Sequence, residues 1–190
     1  MVDIPKNAPL VYVSFSAEIN PSTCESLIAA MANCSNLQVQ QVYLLLSTPG
    51  GSTRDGLNLY NVLKGMPFEL ITHNVGNVDS IGNAVFLAGN KRYATPHSTF
   101  MFHGVGYTIQ NQRLEQKDLE EKLNGVLSDQ QRIGNILIKH TNISLDEVAE
   151  LFRQAQTKDA QFAIDKGIIH EIRDVQISPG YPIISFVFKR

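Results

Sequence analysis

The chain has 190 residues, 43% of them hydrophobic and 18% charged, which is typical of a soluble globular protein and excludes an intrinsically disordered one. This length fits one domain, which we expect to span residues 1–190. The net charge of -2 provides no basic surface, so we expect no nucleic-acid partner. There is neither an apolar run of ~18 residues nor a signal-peptide pattern, so we expect a cytoplasmic protein with no membrane contact.

The cysteines and histidines indicate no metal site. Cys24 and Cys34 are the only cysteines and fall in one predicted helical region, which is neither a disulfide framework nor a metal-binding pattern. The five histidines have no spacing that would hold zinc. We therefore expect no metal and no cofactor.

In the first half of the chain, helical patterns alternate with apolar strands, which are predicted over residues 10–15, 42–46 and 68–75. In the first helix, Ser22 and Glu25 have the spacing of a capping box. The second strand is continuously apolar, as in parallel sheets covered on both faces. This alternation predicts βαβ crossovers and an α/β fold with a parallel sheet.

The second half begins with a short predicted helix over 80–87 and strands over 91–95 and 98–103. A long helix is predicted over roughly 112–140. Its apolar stripe has two interpretations: it packs on another subunit, or the helix lies in the core and is broken near one of its glycines. The helix's apolar positions are Leu119, Leu123, Val126, Ile133 and Leu137.

The C-terminal tail, residues 176–190, contains the strand-like stretch 183–188. It can pair as an extra strand or cover an apolar groove. An edge strand packed on its own subunit is the simpler expectation.

Three features with chemical potential each follow a predicted strand: Ser80, His103 and the Gly50-Gly51 turn. Ligands bind at the carboxyl ends of strands in α/β sheets, and a serine hydroxyl becomes a good nucleophile when a base takes its proton. Glycine lets the backbone approach a ligand, so amides there and after the serine can form an oxyanion hole. Alone, each feature has an ordinary explanation as a turn, a helix cap or a half-buried histidine. Their order predicts a serine hydrolase.

The sequence resembles the proteolytic subunit of the Clp protease, a ring-forming serine peptidase of the Clp/crotonase fold group. The resemblance covers about residues 10–172 and rests on several ordered motifs. These are Ser-Thr-Pro-Gly-Gly at 47–51, Gly-Asn-Val-Asp-Ser-Ile-Gly at 76–82, Lys-Arg-Tyr-Ala-Thr-Pro-His-Ser at 91–98, Met-Phe-His at 101–103, His-Thr at 140–141 and Ala-Ile-Asp-Lys-Gly-Ile-Ile at 163–169.

The resemblance implies a Clp/crotonase-like fold whose long helix is a protruding handle that stacks rings of a homo-oligomer. It implies Ser80 as nucleophile and His103 as general base, with the amides of Gly51 and Ile81 as oxyanion donors. Peptides or unfolded proteins would be the substrates, binding beside a sheet edge at Gly50 and Gly51. They would be cleaved inside an oligomeric chamber.

The sequence departs from the family pattern at the third member of the triad. Counted from motifs on either side, the family's aspartate position is Ala155 here, and alanine cannot orient an imidazole. Asp159, one helical turn further on, is a candidate substitute. The alternatives are a Ser-His dyad, or a glutamine or water that orients the base. Asp79 stands beside the nucleophile where the family has alanine.

The second departure is the N-terminus, where the first strand begins after about nine residues. The family's longer leader contacts an AAA+ unfoldase, so the short N-terminus argues against that partner. Two alternative functions remain open: an inactive Clp-like structural subunit, suggested by Ala155, and an acyl-CoA enzyme of the crotonase type. The chain keeps a serine–histidine pair that crotonase enzymes do not need, which favours the serine endopeptidase.

Overall fold

A mixed sheet of eight strands organises the protein. The structure is a computed structural model that describes residues 2–109, 113–186 and 188. The strands are β1 (Val11–Ser16), β2 (Gln41–Thr48), β3 (Glu69–Asp79), β4 (Lys91–Ala94), β5 (Thr99–Met101), β6 (Thr157–Asp159), β7 (Glu171–Ile172) and β8 (Ile183–Ser185). The helices are α1 (Pro21–Asn36), α2 (Thr53–Lys64), α3 (Gly82–Phe86), α4 (Gln116–His140), α5 (Leu145–Gln154) and α6 (Ala160–Asp165).

The first three strands lie side by side and parallel, with α1 and α2 as the crossover helices. This arrangement confirms the predicted α/β fold of repeated βαβ units. β3 then pairs in parallel with both β4 and β5, and β6 joins β5 in the antiparallel direction. The carboxyl ends of β2, β3 and β5 meet at one edge, where the candidate residues lie.

The start of α1 differs from the predicted capping box. The Asn20 side chain accepts a hydrogen bond from the Thr23 amide, and Thr23 Oγ1 accepts one from the Asn20 amide, both at 3.1 Å. The Ser22–Glu25 prediction is wrong because Asn20 caps the helix and Pro21 takes its first position.

β3 extends beyond its predicted end at residue 75 because residues 77–79 pair with β5. β5 in turn ends at Met101, before the predicted end at His103. The short helix begins at Gly82 and not at Ser80, so the serine lies in the turn before it. A strand, a sharp turn and a short helix thus succeed one another around Ser80.

The long helix α4 is continuous through both of its glycines, so the prediction of a broken core helix is wrong. Its C-terminal half packs through buried Ile133 and Leu137. Its N-terminal half exposes Leu119, Leu123 and Leu127 by 52%, 57% and 55%. Residue 112, where we expected the helix to begin, lies outside the described residues.

The tail returns to the sheet, where β8 pairs in parallel with β1 of the same chain. Phe186 and Phe188 pack edge-on against buried Phe15. This confirms the expected edge strand on its own subunit, although Val187, Lys189 and Arg190 lie outside the described residues. Across residues 2–109, 113–186 and 188, no helix is long and apolar enough to cross a membrane.

Candidate active site

Ser80 occupies a strained turn between β3 and α3. Its φ of 56° lies in the left-handed region, which serine rarely adopts. The Ser80 amide donates a hydrogen bond of 2.8 Å to the Met101 carbonyl at the end of β5. A serine held in a sharp strand-to-helix turn resembles the elbow that presents the nucleophile in enzymes of the α/β-hydrolase fold.

The turn after β2 packs directly against the serine. A Cβ at Gly50 would lie 2.7 Å from both the Cβ of Ser80 and the carbonyl oxygen of Asp79. A Cβ at Gly51 would lie 2.2 Å from the Ile19 carbonyl oxygen. Both glycines have a positive φ, so no other residue would fit without displacing the turn.

Two backbone amides beside the serine are free to bind a ligand. Within the described ranges, neither the Gly51 amide nor the Ile81 amide donates a hydrogen bond to the rest of the chain. Free amides beside a nucleophile are the donors that stabilise a developing oxyanion.

His103 lies just beyond β5 and shares a cavity of about 120 Å³ with Ser80 and Gly51. Its Nδ1 lies 2.7 Å from the carbonyl oxygen of Gly104. A carbonyl only accepts, so Nδ1 carries the proton and Nε2 has a free lone pair. No hydrogen bond joins His103 to Ser80 in this conformation of the described residues, and such bonds are often long before substrate binds.

Asn83, which was not predicted from the sequence, links the turn at Ser80 to the end of β5, the strand that precedes His103. Its Nδ2 donates to the carbonyls of Ser80 at 3.0 Å and Met101 at 2.8 Å. Its Oδ1 is buried and finds no partner among the described atoms. An asparagine inside the apolar run that follows Ser80 was the signal that could have revealed it.

Part of the cavity wall is apolar. It is formed by side chains that include Phe102, Val105, Ile133, Leu137 and Phe152. Such a wall suits an apolar substrate side chain next to the reacting bond. In the part of the chain that the structure describes, no group of three or more His, Cys, Asp or Glu could hold a metal ion.

A model of the Clp protease family matches residues 10–176. The chain belongs to the Clp protease family. It is 30% identical over 162 residues to the ATP-dependent Clp protease proteolytic subunit 2 of Prochlorococcus marinus, covering 80% of each chain. It is 29% identical over 160 residues to proteolytic subunit 3 of Parasynechococcus marenigrum, covering 82% of this chain and 78% of that one.

A solved structure shows the same fold. A mutant of ClpP1 from Listeria monocytogenes superposes with a TM-score of 0.76, covering 87% of this chain and 92% of that one at 18% identity. This likeness confirms the Clp/crotonase-like fold predicted from the sequence.

Ala155, which the resemblance predicts to stand at the family's aspartate position, belongs to a segment next to His103 and offers it no carboxylate. The amides of Phe102 and Gly104 donate to the carbonyls of Gln156 and Phe152, at 3.3 and 3.1 Å. The segment that contains Ala155 therefore flanks the base. Ala155 ends α5 with a φ of 51°, a left-handed conformation that asparagine and aspartate adopt more readily than alanine.

The structure does not bring Asp159 into the cavity. Its side chain caps α6 by accepting a hydrogen bond of 2.8 Å from the Phe162 amide, and its register partner on β5 is Thr99. No carboxylate of the described residues forms an ion pair with His103. Neither Asp159 nor another carboxylate of the described residues therefore contacts the imidazole of His103.

Proposed function

We propose that this protein is a serine endopeptidase that cleaves peptides or unfolded proteins through an acyl-enzyme on Ser80. The observation that carries the proposal is the turn geometry of Ser80, which shares one cavity with His103 and with the free Gly51 amide. The relatives' names describe proteolytic subunits, which agrees with it.

In the proposed reaction, Ser80 Oγ attacks the peptide carbonyl carbon while its proton moves to Nε2 of His103. The amides of Gly51 and Ile81 donate to the oxyanion that forms. The C–N bond breaks as His103 returns the proton to the leaving amine. A water molecule, activated by the same histidine, then hydrolyses the ester and restores the serine.

Substrate would bind as an extended segment near Gly50 and Gly51, where a strand can be added beside the sheet. One side chain would enter the cavity walled by Phe102 and Leu137. The exposed leucines of α4 form an unpaired apolar stripe, which supports packing against α4 of another subunit and a closed chamber. The names of the relatives state that those proteins are ATP-dependent. We do not include ATP dependence in the function proposed for this chain.

Covalent labelling tests this function. A fluorophosphonate probe should react with Ser80, and peptide mapping by mass spectrometry should locate it there. Ser80→Ala should lose both the label and peptide hydrolysis. Ser26→Ala, a change at an exposed serine of α1, should retain both. Absence of label on Ser80 in the assembled protein, with an active Clp subunit labelled in parallel, would contradict the proposal.

A second candidate function is a structural ring subunit with weak or no activity. It is favoured by Ala155, which leaves no contact carboxylate for His103 among the described residues. Co-expression with an active paralogue separates the two functions. A purified homomeric protein that hydrolyses peptides unaided rules out the structural role, whereas activity seen only in mixed rings supports it.

A further inference from the structure

The strands that carry Ser80 and His103 also carry an aspartate. β3 and β5 are parallel neighbours, and Asp79 at the end of β3 is the register partner of Met101 at the end of β5. His103 follows Met101 by two residues. Adjacent strands lie ~4.8 Å apart and two residues along a strand span ~6.6 Å, so diagonal backbone positions are about 8 Å apart, a range at which unit charges still attract in a partly buried site.

Burial shows that the two side chains share a face. Val78 is fully buried and Phe102 is 2% exposed, so both face the core. Successive side chains alternate along extended chain. Asp79 and His103 therefore face away from the core on the same side, and both are half-buried.

Asp79 is held in place by a chain of side-chain hydrogen bonds. Asn77 Nδ2 donates to Asp79 Oδ2 at 2.6 Å and to the Thr48 carbonyl at 3.1 Å. Ser47 Oγ donates to Asn77 Oδ1 at 3.1 Å. The carboxylate is thus fixed to β2 and does not move freely in solvent.

The electrostatics agree with this placement. Burial raises the pKa of Asp79, whereas the hydrogen bond from Asn77 and the charge of His103 lower it. β2 brings Ser47 and Thr48 to this region, and β6 brings Asp159, whose carboxylate is occupied as the cap of α6. His103 is thus the titratable group that Asp79 faces across the strand pair.

We propose that Asp79 supplies the negative charge that stabilises protonated His103, in place of the family's aspartate at position 155. It is a positioning residue that acts through space on the base, while the Gly104 carbonyl fixes the ring tautomer. The inference rests on the proposed serine peptidase function. The electrostatic pairing of Asp79 with His103, on which the inference depends, can also be measured by a method that does not require enzymatic activity.

The first experiment measures hydrogen–deuterium exchange at the C2 position of each histidine by mass spectrometry, as a function of pH. This exchange follows imidazole deprotonation and is resolved by peptide. Asp79→Asn should move the exchange midpoint of His103 to lower pH than in the wild-type protein, because a stabilising charge is lost. Asn77 can still donate to the new amide oxygen, so the strand end keeps its hydrogen bond.

Asp159→Asn is the matched control. It removes a nearby negative charge by the same substitution, and asparagine caps a helix as well as aspartate does. Its His103 midpoint should stay at the wild-type value. Equal midpoints for Asp79→Asn and wild type, or equal shifts for both variants, would overturn the inference.

The second experiment measures peptide hydrolysis. Asp79→Asn should lower kcat about tenfold with little change in KM and move the acid limb of the pH profile downward, because protonated His103 loses a stabilising charge. Asp79→Ala should lose activity similarly, and Ala155→Asp should raise kcat by a larger factor in the Asp79→Ala background than in the wild-type background, because only there does it replace a missing charge. Equal factors in the two backgrounds, which independent effects predict, would overturn the inference. If wild type fails to hydrolyse peptides while the exchange midpoint still moves, the peptidase function fails and the pairing stands.

Discussion

The two halves of the site are held in different ways. The turn at Ser80 is fixed by close backbone packing, with Gly50 against its Cβ and the Met101 carbonyl on its amide. The segment around His103 is held by hydrogen bonds to a second segment, through Phe152 and Gln156. Packing of this kind cannot relax without breaking the turn, whereas the histidine segment can shift by small changes in a few hydrogen bonds.

This difference indicates which part of the candidate site tolerates substitution and which part does not. The turn that holds Ser80 depends on glycines whose close packing admits no larger residue. Under the proposed mechanism, the support of His103 depends on which carboxylate is near it, and we have proposed Asp79 for that role. Four predictions test this contrast, from the largest expected effect to the smallest.

Filling the tight turn should have the largest effect. Gly50→Ala places a methyl group 2.7 Å from the Cβ of Ser80 and forces alanine to a φ of 84°. We expect peptide hydrolysis to fall by roughly 10²–10³, as when an oxyanion donor is lost. The strained backbone should also lower the free energy of unfolding by about 1–3 kcal/mol. Gly65→Ala is the control, because its added Cβ would have no heavy atom nearer than 3.6 Å. Full activity in Gly50→Ala would refute the role of packing.

A second histidine shows what a fully fixed imidazole does. His73 is completely buried, with Tyr43 donating to Nδ1 at 2.8 Å and Nε2 donating to the Arg173 carbonyl at 3.1 Å. Burial lowers the pKa of His73 to about 4, below the 6.5 of an exposed histidine. The unfolded chain therefore binds more protons between pH 6.5 and 4, so stability present above pH 6.5 is lost as pH falls toward 4.

The loss due to His73 should be about 3 kcal/mol of unfolding free energy over this window. Urea unfolding at several pH values measures it. His73→Gln should flatten the slope, and His97→Gln, at an exposed site, should leave it unchanged. His140, whose pKa burial also lowers to about 4, contributes equally to both variants and cancels in the comparison. An unchanged slope in His73→Gln would be the contrary result.

Placing a carboxylate at position 155, where the resemblance predicts the family's aspartate, should raise activity by supporting His103. Ala155→Asp should raise kcat about tenfold, part of the ~10⁴ that a triad aspartate can contribute. Ala155→Asn is the matched control, because asparagine accepts the same left-handed backbone without adding a charge. Steady-state hydrolysis of a fluorogenic peptide measures both. An equal gain in the two variants would show that backbone relief, and not charge, is responsible.

Removing the Asn83 side chain, which links the Ser80 turn to the end of β5, should have the smallest effect. Asn83→Ala loses the two hydrogen bonds to Ser80 and Met101 but also removes a buried oxygen with no described partner, so the stability terms largely offset. We expect a several-fold lower kcat with a change in unfolding free energy within about 1 kcal/mol. Asn58→Ala, on the exposed face of α2, should change neither. A large loss of stability without a loss of kcat would assign Asn83 to folding alone.

Much of the fold could be predicted because periodicity reports burial. The continuously apolar β2 and the alternation of strands with helices predicted a covered parallel sheet. The boundaries failed where tertiary contacts decided them. β3 was predicted to end near Val75 but continues to Asp79, because β5 provides hydrogen-bond partners that arrive twenty residues later in the chain.

The candidate site also contains residues that local sequence patterns could predict and residues whose contacts depend on the tertiary structure. Ser80, His103 and the Gly50-Gly51 turn could be selected from the sequence because each closes a strand with a distinctive residue type. Asn83 and the outcome for Asp159 could not, since hydrogen bonds to Met101 and to the Phe162 amide depend on how distant segments meet.

The sequence by itself determined the α/β architecture and selected Ser80, His103 and the Gly50-Gly51 turn as candidate site residues, because these follow from local residue type and spacing. The tertiary structure alone decided that α4 runs unbroken with its leucines exposed and that Asp159 caps a helix. It also decided that Asp79 shares a sheet face with His103. The physical reason is strand register: it sets which residues of separate segments face each other, and no single segment encodes it.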